Sequence, residues 1–216
     1  MTRFSLAAFG LCLAVLLGCQ TLPSFQSRAP ISKPVRLTHP DNYFVSEYYT
    51  TLRPRRVVIV APPSRFSNFR DQEKFAEAFA LELRNHGVAE AVVAREPLDC
   101  NIHAIRRGQF DEREVIRLSQ WYNADAVVFC DVTNLSAYPP MSAAVSAVMV
   151  DAWESVILFA ADGKWDLSDG KTNRAFTARN CRANQRDKFA TDIFQQSPSH
   201  FLEFVADELA RFMKKL

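Results

Sequence analysis

Hydrophobic and polar positions in the first half of the chain follow two different periods. A continuous apolar run over residues 56–61 predicts a buried central strand. Large apolar residues recur every fourth position over residues 71–86, which predicts an amphipathic helix that Asp71 caps and Gly87 terminates. A short apolar stretch at 88–93 predicts the next strand, so these segments form a β-α-β unit.

The middle of the chain continues the alternation. Residues 111–122 predict a helix that begins at the capping residue Asp111, and residues 126–132 predict a buried strand. Residues 141–150 and 155–161 have the pattern of two antiparallel strands.

The last part predicts one more hairpin and one more helix. Asp162-Gly163 is a two-residue turn signal that would lead into a return strand at 164–167, and residues 168–196 are polar and irregular. Residues 198–214 place large apolar side chains on one helical face. The predicted order is β-α-β-α-β-β-β-α, which defines an α/β (α+β) fold with a mixed β-sheet flanked by helices.

The start of the chain has the organisation of an export signal. The apolar run over residues 6–17 is too short to span a membrane and fits the core of a signal peptide. It ends in Leu16-Leu17-Gly18-Cys19, which resembles the lipobox of bacterial lipoproteins. The resemblance implies removal of the lipoprotein signal peptide 1–18 between Gly18 and Cys19, and lipidation of Cys19 with acyl chains such as palmitate. The alternative is an ordinary signal peptide with a coincidental cysteine.

The residues after Cys19 set the expected location. Inner-membrane lipoproteins often carry Asp at the next position, so Gln20 implies the outer membrane, with the domain facing the periplasm; the alternative is exposure at the cell surface. Residues 19–42 are polar and rich in proline and predict a lipidated N-terminus and flexible tether. The apolar residues from Tyr43 to Tyr49 predict an arm packed on the domain or docked on a partner. We expect a single α/β domain over 43–216.

Charge, motifs and cysteine content limit the ligands and covalent bonds that the chain can be expected to have. A net charge of +2 excludes a general polyanion binder, and the chain has neither a P-loop nor a dinucleotide-binding fingerprint. Three cysteines follow the lipobox. Cys130 lies in an apolar strand pattern and is expected to be buried, while Cys100 and Cys181 form a possible disulfide in an oxidising compartment.

A second resemblance rests on three stretches. They are Ile59-Val60-Ala61-Pro62-Pro63, residues 124–128 and residues 150–159. Over residues 55–165 the chain resembles a group of bacterial lipoproteins that includes the curli-secretion lipoprotein, the lipoprotein activator of penicillin-binding proteins and relatives of the amino-terminal domain of TolB. The resemblance implies a membrane-anchored protein-binding or regulatory module in cell-envelope assembly. The alternative it implies is a component of a secretion or assembly complex. Ala152-Trp153-Glu154 stands where members of this group usually have Gly, so the hairpin turn differs here.

Residues that could carry catalysis are scattered in the sequence. His39, His86, His103 and His200 have no partner at metal-ligand spacing, and the chain has no Gly-x-Ser-x-Gly elbow, so a hydrolase is the least favoured alternative. The carboxylates of Asp162, Asp166 and Asp169 crowd together, but interleaved lysines predict a solvated turn rather than a calcium loop.

The segment 171–188 is the charged feature with a functional interpretation. Its cations greatly outnumber its acids, and a cationic rim raises the rate of association with an acidic partner. The candidate partner-binding residues are Lys171, Arg174, Arg179, Arg182, Arg186 and Lys188. The alternative is a solvated loop. We expect no catalytic residue, metal, cofactor, small-molecule substrate or nucleic acid, and two partners: membrane lipid through acylated Cys19, and an envelope protein.

Overall fold

The computed structural model describes residues 40–62, 68–95, 105, 108–183 and 196–216, without the side chains of 181–183. Several sequence predictions therefore lie outside the described residues. These are the signal peptide, Cys19, the tether before Pro40, Cys100, Arg186, Lys188 and the side chains of Cys181 and Arg182.

Six strands form one mixed sheet in the order β1-β6-β5-β4-β2-β3. Strand β2 pairs in parallel with β3 and β4, and the remaining pairs are antiparallel. The strands are β1 (Asn42–Val45), β2 (Arg56–Val60), β3 (Glu90–Val93), β4 (Ala126–Ser136), β5 (Ser142–Asp151) and β6 (Ile157–Asp166). This confirms the predicted mixed sheet. Val58 lies in an interior strand as predicted, and Val128 lies in the buried strand predicted over residues 126–132.

Helices lie on both faces of this sheet. The described helices are α1 (Tyr48–Leu52), α2 (Phe69–Asn85), α3 (Glu112–Tyr122), α4 (Gly170–Ala183) and α5 (Pro198–Lys214). Residues of α1, α2, α4 and α5 pack into the hydrophobic core on one face, which we call the α2 face. Val115 and Leu118 of α3 pack into a smaller core on the other face, which we call the α3 face.

The long helices form where the apolar period predicts them. Phe75, Phe79 and Leu83 are fully buried along α2, and the rings of the two phenylalanines stack at 5.8 Å. The predicted cap is wrong by three residues, because Asn68 is the N-cap and its side chain accepts from the Asp71 backbone N–H at 2.8 Å. Gly87 has φ +65° just after the helix, as its predicted terminating role requires.

The predicted turn at Asp162-Gly163 is wrong. Both residues lie inside β6, and the chain reverses before it, between β5 and β6. Gly163 has a different reason to be glycine: a Cβ there would lie 2.6 Å from the Trp165 indole. The glycine therefore makes room for a buried tryptophan on the α2 face rather than permitting a turn.

The prediction that residues 168–196 are irregular is also wrong in part, because residues 170–183 form α4. Asp169 caps this helix, accepting from the Thr172 backbone N–H at 2.9 Å and the Thr172 hydroxyl at 3.0 Å. Ala175 and Phe176 bury the helix against the core, and the Phe176 ring meets the ring of Phe204 edge-on at 5.3 Å. The short apolar stripe is too weak to reveal the helix by its period alone.

Candidate functional site

The basic segment 171–188 is divided between exposed and engaged cations. Lys171 and Arg174 are exposed on α4. Arg179 instead points into the protein: its guanidinium contacts Glu82 at 2.7 Å and Asp207 at 3.6 Å, and donates to the Glu203 carbonyl at 2.6 Å. The described part of the proposed docking segment therefore offers two exposed cations, while a third is held within the chain.

Arg179 belongs to an ion-pair network that joins three helices. Asp207 of α5 is 3 % exposed and receives Arg211 at 2.5 Å from its own helix. His86, at the end of α2, lies 2.6 Å from the other oxygen of the same carboxylate. The expectation that His86 has no partner at metal-ligand spacing is wrong. Glu82 lies one helical turn earlier, with its Oε2 atom 3.9 Å from the His86 Nε2 atom, and α5 brings Asp207 alongside α2 from far away in the sequence.

Three members of this network have the chemistry of metal ligands. Glu82, His86 and Asp207 offer ligand atoms that lie within 4.8 Å of one another. However, Arg179 and Arg211 already neutralise the two carboxylates, and a divalent cation would have to displace them. We interpret the network as a structural connection between α2, α4 and α5.

A second polar arrangement lies where β2 ends and β4 continues with β5 paired on its other side. Fully buried Gln72 of α2 accepts from the Val132 backbone N–H at 3.0 Å and donates to the Val132 carbonyl at 3.0 Å. The same amide nitrogen donates to Asp131 at 2.6 Å. One side-chain amide thus satisfies the backbone groups of β4 that lack a neighbouring strand, which a buried edge requires.

The three carboxylates predicted to form a solvated turn have separate roles. Asp162 is exposed on β6 and Asp169 caps α4, where hydrogen bonds from the Thr172 backbone N–H and hydroxyl lower its pKa. Hydrogen bonds from the Ser168 hydroxyl and backbone N–H lower the pKa of Asp166 to about 2. Local hydrogen bonds therefore account for Asp166 and Asp169, and the three carboxylates do not share one turn.

Cys130 is buried in β4 as the sequence predicts. It has no exposed surface and is a free thiol, and burial raises its pKa strongly. This environment makes the thiol unreactive rather than nucleophilic.

The aromatic arm after the tether forms the outer edge of the sheet. Strand β1 pairs with β6, and Tyr49 of α1 is buried, so the prediction that the arm packs on the domain is confirmed. Tyr43 nevertheless remains 58 % exposed and Phe44 53 % exposed. Tyr48 and Leu52 of α1 add two more exposed apolar side chains. Four exposed large apolar side chains therefore lie within residues 43–52.

A small cleft lies at the end of α1. Its volume is about 110 Å³, and its lining includes Tyr49, Arg53, Met149 and Met213. Burial raises the pKa of the Tyr49 hydroxyl. The cleft is too small for most substrates, whose pockets are usually about 300–1,000 Å³.

Among the residues that the structure describes, none of the helices is both long enough and apolar enough to cross a membrane.

Together these features define an α/β domain built on a mixed six-stranded sheet, with a paired ionic network between helices and an apolar outer edge. No protein-family model matches the sequence, and a search of curated proteins finds no similar sequence.

Three bacterial proteins of known structure show similarity to the chain. A PelC dodecamer from Paraburkholderia phytofirmans has a TM-score of 0.41 and 12% identity, covering 78% of this chain and 94% of the PelC chain. Lipoprotein GNA1162 from Neisseria meningitidis has a TM-score of 0.38 and 15% identity, covering 61% and 99%. The hypothetical protein CT253 from Chlamydia trachomatis has a TM-score of 0.40 and 16% identity, covering 74% and 93%. Similarities of this size do not assign a function.

Proposed function

We propose that the protein is a lipid-anchored bacterial envelope protein whose α/β domain binds another protein and catalyses no reaction. The observation that supports this proposal is the exposed aromatic surface of β1 and α1. Tyr43 and Phe44 follow each other along a strand and therefore point to opposite faces of the sheet. An edge strand with large exposed apolar groups on both faces is a liability unless a partner covers it.

The leader supplies the second part of the proposal. A mature lipoprotein carries two or three acyl chains, and two or more chains are needed for stable anchoring. Acylation of Cys19 would therefore hold the protein permanently on the outer membrane. Residues 20–39, which precede the described domain, would reach roughly 70 Å when fully extended and average roughly 25 Å as a coil. The domain would then meet periplasmic partners at a high effective concentration near the membrane.

The anchor is tested by Cys19→Ser. We expect this variant to escape cleavage by the lipoprotein signal peptidase and to be poorly retained in outer-membrane fractions. Normal processing and normal retention of the variant would show that the lipobox resemblance is coincidental.

The binding role is tested by photo-crosslinking in intact cells. A photoreactive amino acid replaces Phe44 in one strain, Arg174 in a second and Tyr138 in a third. Tyr138 is 84 % exposed at the turn between β4 and β5 and serves as the matched control. Reproducible capture of one envelope protein at Phe44 or Arg174, but not at Tyr138, is the expected result. Failure to capture a protein at either position would contradict the proposal.

The same experiment separates the two envelope roles. A captured partner of different sequence supports a binding or regulatory module. Capture of further copies of this chain, together with a stable ring-like oligomer of the purified protein, would support a component of a secretion or assembly complex.

A further inference from the structure

We propose that β1 binds its partner by strand addition, and that the added segment is extended, apolar at its centre and basic at both ends. This inference rests on the proposed function, because it specifies how the partner binds and which chemistry it carries. Three observations support it: the direction of the backbone groups of β1, its exposed aromatic residues and the acidic residues at its two ends.

The register shows which backbone groups of β1 are free. The Ser46 backbone N–H donates to the Leu158 carbonyl at 2.9 Å, so Ser46 belongs to the hydrogen-bonded positions of the β1–β6 ladder. Facing residues in an antiparallel ladder alternate between bonded and non-bonded pairs. Phe44 and Asn42 therefore bond to β6, whereas Tyr43 and Val45 direct their N–H and C=O groups away from it.

No strand pairs with this outward side among the residues that the structure describes. Tyr43 and Val45 thus present two donors and two acceptors to an approaching strand. An extended peptide that adds here would extend the sheet by one strand, as in other cases of strand addition.

The aromatic residues would give the added strand its apolar contacts. The Tyr43 ring lies on the α2 face, where it meets the ring of Phe212 edge-on at 4.9 Å. Phe44 points to the α3 face, beside half-buried Ala160 of β6. A neighbouring strand would therefore find an exposed aromatic side chain on each face, and alternating apolar residues are the pattern that fits both.

The ends of β1 determine the charge of the partner. Asp41 precedes the strand and Glu47 follows it, and both residues are exposed. One oxygen of the Asp41 carboxylate accepts from the Lys164 backbone N–H at 2.8 Å, which holds this charge at the first end of the strand. Asp162, the ladder partner of Asn42, adds a third exposed carboxylate at the first end. The nearby cation of Lys164 is already paired with Asp166 at 3.0 Å. Charge complementarity therefore favours lysine or arginine on both sides of the apolar centre.

The same charges disfavour a second copy of this chain as the occupant. Antiparallel pairing of two β1 strands centred on Phe44 would use all four free backbone groups, but it would place Asp41 of one copy opposite Glu47 of the other. Like charges directly opposite each other in a ladder are destabilising.

The probe is a fluorescent synthetic peptide with an alternating valine and phenylalanine centre and two lysines at each end. Its binding to the full-length lipidated protein is measured by anisotropy in nanodiscs of phosphatidylcholine, whose neutral surface does not attract the lysines. Empty nanodiscs give the background. We expect saturable binding that is at least tenfold weaker for the same peptide with glutamates at its ends.

Three variants distinguish strand addition from non-specific hydrophobic binding of the peptide. Val45→Pro removes an outward N–H without breaking a bond to β6 and should weaken binding at least tenfold, whereas Val45→Thr keeps the N–H and should bind like the wild type. The double change Asp41→Asn with Glu47→Gln should weaken binding roughly threefold to tenfold at low salt and have little effect at 1 M salt. Circular dichroism confirms that each variant is folded.

Each failure has a distinct meaning. Equal binding by Val45→Pro, or equal affinity for the glutamate-ended peptide, overturns strand addition even if a partner is still captured at Phe44 in cells. Binding that appears only after deletion of residues 20–39 shows that the tether itself occupies the edge and overturns the proposal of an external segment. Saturable self-association through β1 does the same in favour of a second copy.

Discussion

Replacing Gln72 with leucine tests whether one side-chain amide completes the sheet where β2 ends. Leucine keeps nearly the same volume against the core but can neither donate nor accept a hydrogen bond. The change leaves the Val132 N–H, the Val132 carbonyl and one oxygen of Asp131 without the partner that they have in the wild type.

The expected loss follows from the burial of these groups. Val132 has no exposed surface and Asp131 is 2 % exposed, so water cannot easily replace the amide. A buried polar group without a partner costs about 1–3 kcal/mol, and charged groups cost more. Some relaxation around three such groups leaves an expected loss of about 3–5 kcal/mol, a large part of the roughly 5–15 kcal/mol of a typical domain.

The assay is urea unfolding of the purified protein, followed by far-ultraviolet circular dichroism. Gln120→Leu is the matched control, because Gln120 is exposed on α3 and the same change there should alter stability by less than about 0.5 kcal/mol. Gln72→Glu keeps an acceptor for the Val132 N–H but places a second carboxylate beside Asp131, so it should be at least as damaging as leucine. If Gln72→Leu lost less than about 1 kcal/mol, the amide would not be completing the ladder.

Three further predictions test other parts of the structure. Arg179→Met removes the guanidinium shared by Glu82 and Asp207, but Arg211 and His86 still contact Asp207, so the change should lower the free energy of unfolding by about 1–3 kcal/mol. Arg174→Met on the exposed side of α4 should have almost no effect, and equal effects in urea unfolding would contradict the network. In a background without Cys12, Cys19, Cys100 and Cys181, the buried Cys130 thiol should resist iodoacetamide at pH 8 until the protein is unfolded. Rapid labelling of the native protein, measured by mass spectrometry, would refute its burial. The pKa of Asp166 is lowered from 3.8 to about 2, so its stabilising effect is present above pH 3.8 and is lost as the pH falls toward 2. The difference in free energy of unfolding between the wild type and Asp166→Asn should therefore vanish over that range. A constant difference would show that the Ser168 hydrogen bonds are not its source.

The sequence predicts correctly those elements whose burial follows from the hydrophobic pattern of their own residues. Strand β2 is a continuous buried apolar run from Val57 to Val60, and α2 and α5 repeat large apolar residues at helical spacing. The prediction fails where a residue is present because of a contact with another side chain and not because of the local backbone conformation. Asp162-Gly163 is a strong turn signal, but Gly163 lies within a strand and is glycine because a Cβ there would collide with Trp165.

Helix α4 shows a second limit of sequence reasoning. Among its side chains up to residue 180, the buried ones are Ala175 and Phe176 with two polar neighbours, Thr172 and Asn180, so the apolar period is incomplete there. Its start is nevertheless visible in retrospect, because Asp169 stands three residues before Thr172 in the position of an N-cap. A search for caps independent of apolar periodicity would have found this helix.

Which residues of the candidate site are available for binding could be predicted only in part from the sequence, for a related reason. Charge can be counted along a chain, but whether a charge is available for binding depends on partners that are distant in the sequence. Arg179 looks equivalent to Arg174 in the segment 171–188, yet its guanidinium contacts Glu82 and Asp207, which lie far away on two other helices. The same packing that removes a cation from the surface explains why His86 acquires a partner.

The aromatic arm shows the opposite relation between sequence and surface. An apolar stretch next to a tether leads one to expect burial, and β1 does pair with β6, but a strand at the edge of a sheet can bury only one of its two sides. Tyr43 and Phe44 are therefore held in a fixed position by the fold while much of their surface stays exposed. A rigid strand with exposed aromatic rings loses little conformational entropy on binding, whereas the long, exposed side chains of Lys171 and Arg174 would have to be ordered. This difference is the physical reason to look for the partner first at the edge of the sheet rather than at the basic helix.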